Sequence, residues 1–271
     1  MQLSDLHSRQ KLIKSVEIVP KRDFNIGDLL ECREVFSDIA DMMTAPENQM
    51  GKPGIDPLVA LYILTQGTNV VAMPHITPRD KNSLYISSQI LTSLKLGIKN
   101  FFVIAGDPIS AERNIKEVRE MDTNQTINHI RNIALDMNQG SEVTIGGAFN
   151  PNRTAEEEIV RSKVNSGATM FISQMCYSSE PFKQKWIRDR KFKLSIGFMP
   201  ILKKGRIKSL REMGVELPEN VRSILENSEN LRETSLKLIA ALMDDLKGYV
   251  DGIHIMPLGN NGIAKEILEI L

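Results

Sequence analysis

Short apolar runs rich in β-branched residues recur along the chain, each closing on Pro, Gly, Asn or Asp and each followed by a longer stretch with helical spacing. The runs are Ser15–Pro20, Asp38–Thr44, Asn69–His75, Asn100–Asp107, Val143–Asn150, Thr169–Met175, Lys193–Pro200 and Val250–Pro257. Strand–helix alternation demands parallel pairing, and about eight such units are what a closed barrel requires. An open doubly wound sheet would alternate in the same way. Against its commonest version stands the lack of a Gly-x-Gly-x-x-Gly turn after any strand. The pattern predicts an α/β fold, a (β/α)8 TIM barrel, as one domain over residues 1–271.

Helix starts are legible between the runs. Asp56 with Pro57 opens Leu58–Gln66, and Thr77 with Pro78 precedes a long stretch through Leu96. Thr154 with Glu157 forms a capping-box pattern before Ile159 and Val160. Lys203–Lys247 is too long for one helix, and Pro218 divides it into a short helix and a long one beginning near Ser228. The extra segment after strand seven, about residues 203–227, is expected to roof the site.

Charge and cysteine content narrow the classes of function. Lys plus Arg and Asp plus Glu both number 34, so no global field calls for nucleic acid or a membrane surface, which leaves a small, locally charged ligand open. The cysteines are Cys32 and Cys176, and no Cys and His cluster has metal-ligand spacing. His7 and His129 read as solvent-facing. Met1–Lys14 is polar and of mixed charge, without the apolar core of a signal peptide, and no later run reaches membrane-spanning length. A reducing compartment, the cytoplasm, fits best.

In a barrel the chemistry gathers where strands end, at the C-terminal face. Glu17 lies between Val16 and Ile18, so if those two face the outer helices, strand alternation turns Glu17 inward. An inward carboxylate is costly unless it is used or is paired with an inward Lys or Arg. Strand three ends in Pro74–Thr77, strand four in Ala105–Pro108, strand five in Gly146–Pro151 and strand six in Ser173–Gln174. His75 is either a hydrogen-bonding ligand residue or a satisfied core histidine. Gly106, Gly146 and Gly147 are either turn residues or places where a flat ligand approaches the backbone. The amides and carboxylates beside them are groups that recognise the edge of a pterin or flavin ring.

Pro74-His75-Ile76-Thr77-Pro78-Arg79-Asp80-Lys81-Asn82, then Gly97-Ile98-Lys99-Asn100 and Ala105-Gly106-Asp107-Pro108, resembles the methylenetetrahydrofolate reductase family. Val16–Pro20, Gly147–Pro151, Lys163 with Gly167–Gln174, and Gly197–Ile201 agree in order and spacing, so the resemblance runs from Ser15 to the last strand. It implies the same (β/α)8 barrel and the reduction of a methylene-tetrahydropterin to methyl-tetrahydropterin, with hydride from a reduced flavin. Glu17 matches the family's catalytic acid, and Asp107 the aspartate between flavin and folate that binds the pterin edge. Gln174 matches a glutamine on the pterin. Thr44, His75, Ala105, Gly106, Phe149, Glu156 and Lys163 fall where the family contacts its flavin.

The chain departs from the bacterial members at specific places. Ala105 stands for an arginine, and Ile159 and Ser162 for an asparagine and an arginine, groups that hold the far parts of FAD. FMN, FAD, or direct hydride transfer without flavin are thus all open. Leu210 takes the place of the phenylalanine that stacks on substrate or nicotinamide, with Arg206 for a glutamine one turn earlier; both belong to the expected substrate site. The electron donor is then NAD(P)H or a partner protein. Met42–Gly51 is closer to the short form found in acetogens and in methyltransferase fusions. A homo-oligomer or hetero-complex is expected. Two rival readings remain: a pterin- or flavin-binding subunit of a larger one-carbon complex, and a reductase specific for tetrahydromethanopterin.

Overall fold

The computed structural model of the chain describes Leu3, Leu6, residues 11–20 and residues 23–271; His7 lies outside them. Eight strands are observed: β1 (Ile13–Glu17), β2 (Met42–Ala45), β3 (Val71–Ile76), β4 (Asn100–Val103), β5 (Thr144–Phe149), β6 (Met170–Met175), β7 (Lys193–Phe198) and β8 (Gly252–Ile255). They pair in chain order, all parallel, and β1 pairs with β8 to close the barrel. The expected (β/α)8 architecture is therefore the observed one.

Strand alternation sorts the side chains into two layers. Ile13, Met42, Val71, Met73, Phe102, Met170 and Ile172 fill the barrel interior, joined by Leu3 and Leu6. Val16, Ile18, Met43, Ala45, Ile76, Phe101, Val103, Phe171, Ile196 and Ile255 face the helices and belong to the larger outer core. The helices are α1 (Ile26–Phe36), α2 (Pro57–Thr65), α3 (Ser83–Lys95), α4 (Thr123–Asp136), α5 (Glu156–Ser166), α6 (Lys185–Arg188), α7 (Gly205–Glu212), α8 (Glu219–Glu226), α9 (Leu231–Asp245) and α10 (Asn261–Ile270). Among the described residues no helix is long and apolar enough to cross a membrane.

Local chemistry explains most helix starts. Asn25 and Asp122 form capping boxes with Asp28 and Gln125, and the Asp56 carboxylate accepts from the Leu58 and Val59 amides with Pro57 in the first turn. Two expected starts are corrected. After Thr77 and Pro78 the chain makes only a short 3-10 turn, Pro78–Asp80, and α3 begins after Asn82, whose side chain accepts from the Tyr85 amide. Thr154 and Glu157 form no capping box: Ala155 precedes α5 in the left-handed region, at φ 60°, without a side-chain cap.

Strand limits also shift. Residues from Asp38 do not open β2, because the Ile39 and Ala40 amides bond back to the Phe36 carbonyl and finish α1. β4 ends at Val103 rather than Asp107, and the left-handed Gly106, at φ 81°, carries the chain away from the sheet. After β7 the chain forms α7 and α8, with Pro218 immediately before α8, and the long α9 starts at Leu231.

Candidate active site

Glu17 stands at the top of β1, across from Thr44 in the β1–β2 register, and is 7 % exposed. Val16 and Ile18 are in the outer core, so the carboxylate does turn inward. Among the described residues it has no basic partner. Burial and the nearby Asp107 carboxylate push its pKa up to about 7, since both penalise the anion. A carboxylic acid of that strength holds its proton near neutral pH and can give it up.

Asp107 is exposed on the loop after β4, and its Oδ2 accepts from the Met50 amide at 2.9 Å. On β2 and β3, next in the sheet after β1, lie buried polar atoms that have no hydrogen-bond partner among the described residues. The Thr44 hydroxyl and both ring nitrogens of His75 are buried without a hydrogen-bond partner. His75 leans on Phe102 at 4.9 Å between ring centroids, and burial, with His254 adding to it, pushes its pKa down to about 3, so the ring is neutral. It is therefore not a satisfied core histidine. A neutral imidazole offers one donor and one acceptor.

Gln174 belongs to the same face but is partly engaged. It is half-buried where the β6–β7 register shifts between Ile172 and Met175, and its Oε1 accepts from the Met175 amide at 3.0 Å. Ala105 is exposed beside Gly106. At the glycines the side-chain direction is filled by protein. A Cβ on Gly106 would meet the Thr77 methyl at 2.5 Å, on Gly146 the Phe102 ring at 2.9 Å, and on Gly147 the Phe171 ring at 3.1 Å. A side chain at Gly106 or Gly146 would force its neighbours to move, and at Gly147 the fit would be tight.

Phe149, Glu156 and Lys163 form a separate group. Phe149 faces the helix layer, edge-on to Phe182 and Trp186 at 5.8 and 6.0 Å. Glu156 accepts from the Asn150 amide at 2.7 Å and pairs with Arg153 at 2.8 Å, while Lys163 donates to the Ala148 carbonyl at 2.7 Å. Burial pushes Lys163 down to about 8. Phe149, Arg153, Glu156, Gln184 and Trp186 border a cavity of about 290 Å³ on this side.

On α7, Arg206 is half-buried and its charge bears on Tyr177. Leu210 corrects an expectation: it is 0 % exposed and part of the outer apolar core, so it presents no stacking surface to a ligand. Its hydrophobicity, which a surface role would waste, is used in packing α7. His129 is likewise not free in solvent; it is half-buried and shares a hydrogen bond with the Ser87 hydroxyl at 2.8 Å.

A sequence model of the family described as methylenetetrahydrofolate reductase matches residues 34–271. The chain belongs to that family. Solved structures show the same fold at low identity. One is an uncharacterized protein from Clostridium thermocellum that binds two copies of 5-methyl-5,6,7,8-tetrahydrofolic acid, with TM-score 0.66, 15% identity and 99% of each chain covered. Another is 2,3-dimethylmalate lyase, of the PEP mutase/isocitrate lyase superfamily, with TM-score 0.55, 12% identity, 99% of this chain and 82% of that one. A third, oxaloacetate acetylhydrolase in complex with 3,3-difluorooxalacetate, gives TM-score 0.51, 11% identity, 91% of this chain and 96% of that one.

Two features of this family member escaped the sequence reading. Arg79 is 1 % exposed, the largest fully buried side chain, and reaches both the β2 and β4 loops. Ser15 and His254 are hydrogen-bonded inside the barrel at 2.9 Å. The signal for Arg79 was present, as a run of charged residues directly after a strand, but a charge run usually marks a solvated face.

Proposed function

We propose that the protein is a methylenetetrahydropterin reductase that converts the carrier-bound methylene to methyl. The observation that carries this reading is Glu17: a buried acid without a counter-ion among the described residues, poised near neutrality beside Asp107. In the methylene-bridged substrate one carbon is held between two nitrogens. Glu17 gives its proton to one of them, which opens the ring to a cationic iminium. Asp107 holds the pterin amino edge and stabilises that cation by its charge. Gln174 adds neutral hydrogen bonds to the pterin.

The residues fit the ring of a flavin. The Thr44 hydroxyl and the two His75 nitrogens are buried polar atoms awaiting partners, as a heterocycle edge would supply. They would hold the ring, with the backbone of Ala105 and Gly106 beside it. When bound in reduced form, the flavin supplies the hydride. The pyrophosphate end has less support: Ser162 is exposed and its hydroxyl accepts from Asn124 at 2.9 Å, and Ile159 offers no donor. FMN, or FAD held mainly through its ring, follows from that.

A second reading, a subunit that receives electrons from a partner protein, is favoured by Leu210, whose burial removes a surface on which a nicotinamide could stack. The deciding experiment is anaerobic: the absorbance spectrum and extracted cofactor of the pure protein, then methylene-tetrahydrofolate reduction with NADH and with a chemically reduced flavin. Turnover with reduced flavin but not NADH selects the partner-fed version. No turnover in either case, with flavin bound, overturns the reductase reading. Replacing tetrahydrofolate by tetrahydromethanopterin tests the carrier.

A further inference from the structure

The Thr77–Asn82 motif that carried the resemblance has no part in the chemistry above, yet its backbone and charged side chains are tied into neighbouring elements. The Thr77 amide donates to Glu47 Oε2 at 2.8 Å. Lys81 Nζ donates to Glu47 Oε1 at 2.7 Å and to Gln89 Oε1 at 2.8 Å, so a buried ion pair fastens the β2–α2 loop to α3. Asp80 accepts from Asn48 Nδ2 at 3.2 Å, and Asn82 caps α3.

At the centre is Arg79. Its Nε and Nη2 grip Asp80 in a two-pronged pair, both at 2.6 Å. The remaining bonds leave its own loop: Nη2 donates to the Asn48 carbonyl at 3.0 Å and Nη1 to the Asp107 carbonyl at 2.5 Å. Two residues beyond Asn48, the Met50 amide holds the Asp107 carboxylate. The backbone of Gly106 packs so closely on Thr77 and Arg79 that a Cβ would meet them at 2.5 and 3.2 Å. The carbonyl of Arg79 in turn accepts from the Val118 and Arg119 amides at 2.8 and 3.2 Å, which anchors the far end of the β4–α4 loop.

We infer that Arg79 is a positioning residue: one guanidinium ties the β2–α2, β3–α3 and β4–α4 loops together and thereby holds the Asp107 carboxylate at the barrel mouth facing Glu17. Only a planar fork suits this task. Arginine presents fixed donors in several directions, whereas the lysine ammonium is a single point charge on a flexible stem. The inference deepens the reductase reading by saying what sets its anionic residue in place, and it rests on that reading for the role of Asp107.

The test uses the ligand-free protein, so it stands apart from whether the protein turns over a pterin. Asp107 is the charged group that bears on Glu17; the imidazoles inside the barrel, His75 and His254, are held neutral with pKa values near 3. Around Arg79 the charged groups are Asp80, Asp107, Glu117 and Arg119. The Glu17 titration midpoint, followed by carboxyl-carbon NMR, is compared in the wild type, Arg79→Lys, Asp107→Asn and the double variant. The wild type is expected near 7. Arg79→Lys keeps the positive charge but frees the loop, so its midpoint should fall in the same direction as that of Asp107→Asn. The double variant should fall no further than Asp107→Asn alone. An unchanged midpoint in folded Arg79→Lys overturns the inference, as does an Arg79→Lys effect that persists without the Asp107 charge. If Arg79→Lys does not fold, Asp80→Asn, which removes one side of the two-pronged pair, is read by the same criteria. If the wild type titrates as expected but neither binds nor reduces a methylene-tetrahydropterin, the reductase reading falls while the positioning role is judged on the midpoints alone.

Discussion

The two sides of the barrel mouth bury polar side chains for opposite reasons. On the β1–β4 side, among the described residues, Glu17 has no counter-ion and the Thr44 hydroxyl and His75 ring have no hydrogen-bond partners. On the β5–α5 side, Glu156 and Lys163 are as deeply buried, yet each is matched to a backbone group or an ion. Buried polar groups that are satisfied stabilise a chain; those left unsatisfied cost free energy unless a ligand completes them. The first side thus leaves polar atoms open to a ligand, and the second engages its own with protein partners.

The largest expected effect is on Glu17. Glu17→Gln should leave any flavin bound and reducible but slow methylene reduction by about a hundredfold or more, the usual scale for a positioned acid. Steady-state rates and the flavin spectrum check this, and full activity would remove Glu17 from the mechanism. The same variant should gain stability with a definite pH dependence. The Glu17 pKa is raised in the folded state, so the native protein binds the extra proton, and its stability falls as pH rises from 4.5 to about 7. Glu17→Gln lacks that fall and should be more stable than wild type at pH 8, by on the order of 3 kcal/mol in urea unfolding.

Next come the two residues proposed to contact the pterin. Asp107→Asn should weaken substrate binding and slow the hydride step, because charge matters most where the carbon becomes cationic. Gln174→Ala should act on binding, by about 1–3 kcal/mol if one pterin group is left unpaired. Single-turnover rates and binding titrations separate the two, and equal effects on the hydride step contradict this division.

The contrast between the two sides can itself be broken. His75→Leu should stabilise the ligand-free protein, by about 1 kcal/mol or more, since it removes two unsatisfied atoms. The gain should grow at acid pH: native His75 stays neutral to about 3, whereas the unfolded ring takes a proton below 6.5, so wild-type stability is lost as pH falls through that window. Lys163→Ala should do the reverse and destabilise by about 1–3 kcal/mol, because the Ala148 carbonyl loses its donor and Glu156 a compensating charge. Thermal unfolding at pH 5 and pH 8 decides; changes of the same sign would erase the distinction.

The smallest effect concerns the cofactor's far end. FMN and FAD should bind the apo-protein within a few-fold of each other, because Ala105, Ile159 and Ser162 provide no pyrophosphate contacts that favour the dinucleotide. Clearly tighter FAD binding, found by fluorescence titration, would mean that other groups replaced them.

Hydrophobic periodicity alone determined the alternation of strands and helices, and strand parity alone turned Glu17 inward beside Val16 and Ile18. Both follow from local rules that act along the chain. Where strands end was less legible, because β2 and β4 are cut short by a helix exit at Phe36 and a left-handed Gly106, which compete with an apolar pattern that runs on. Only the tertiary structure decided which polar residues are satisfied. Thr44 and His75 lie on strands and Glu156 and Lys163 on α5, and nothing in their local sequence separates the pair left without partners from the pair that finds them. The same holds for Leu210, whose neighbours place it in the core, and for Arg79, whose bonds reach Asn48 and Asp107 across separations that no local pattern records.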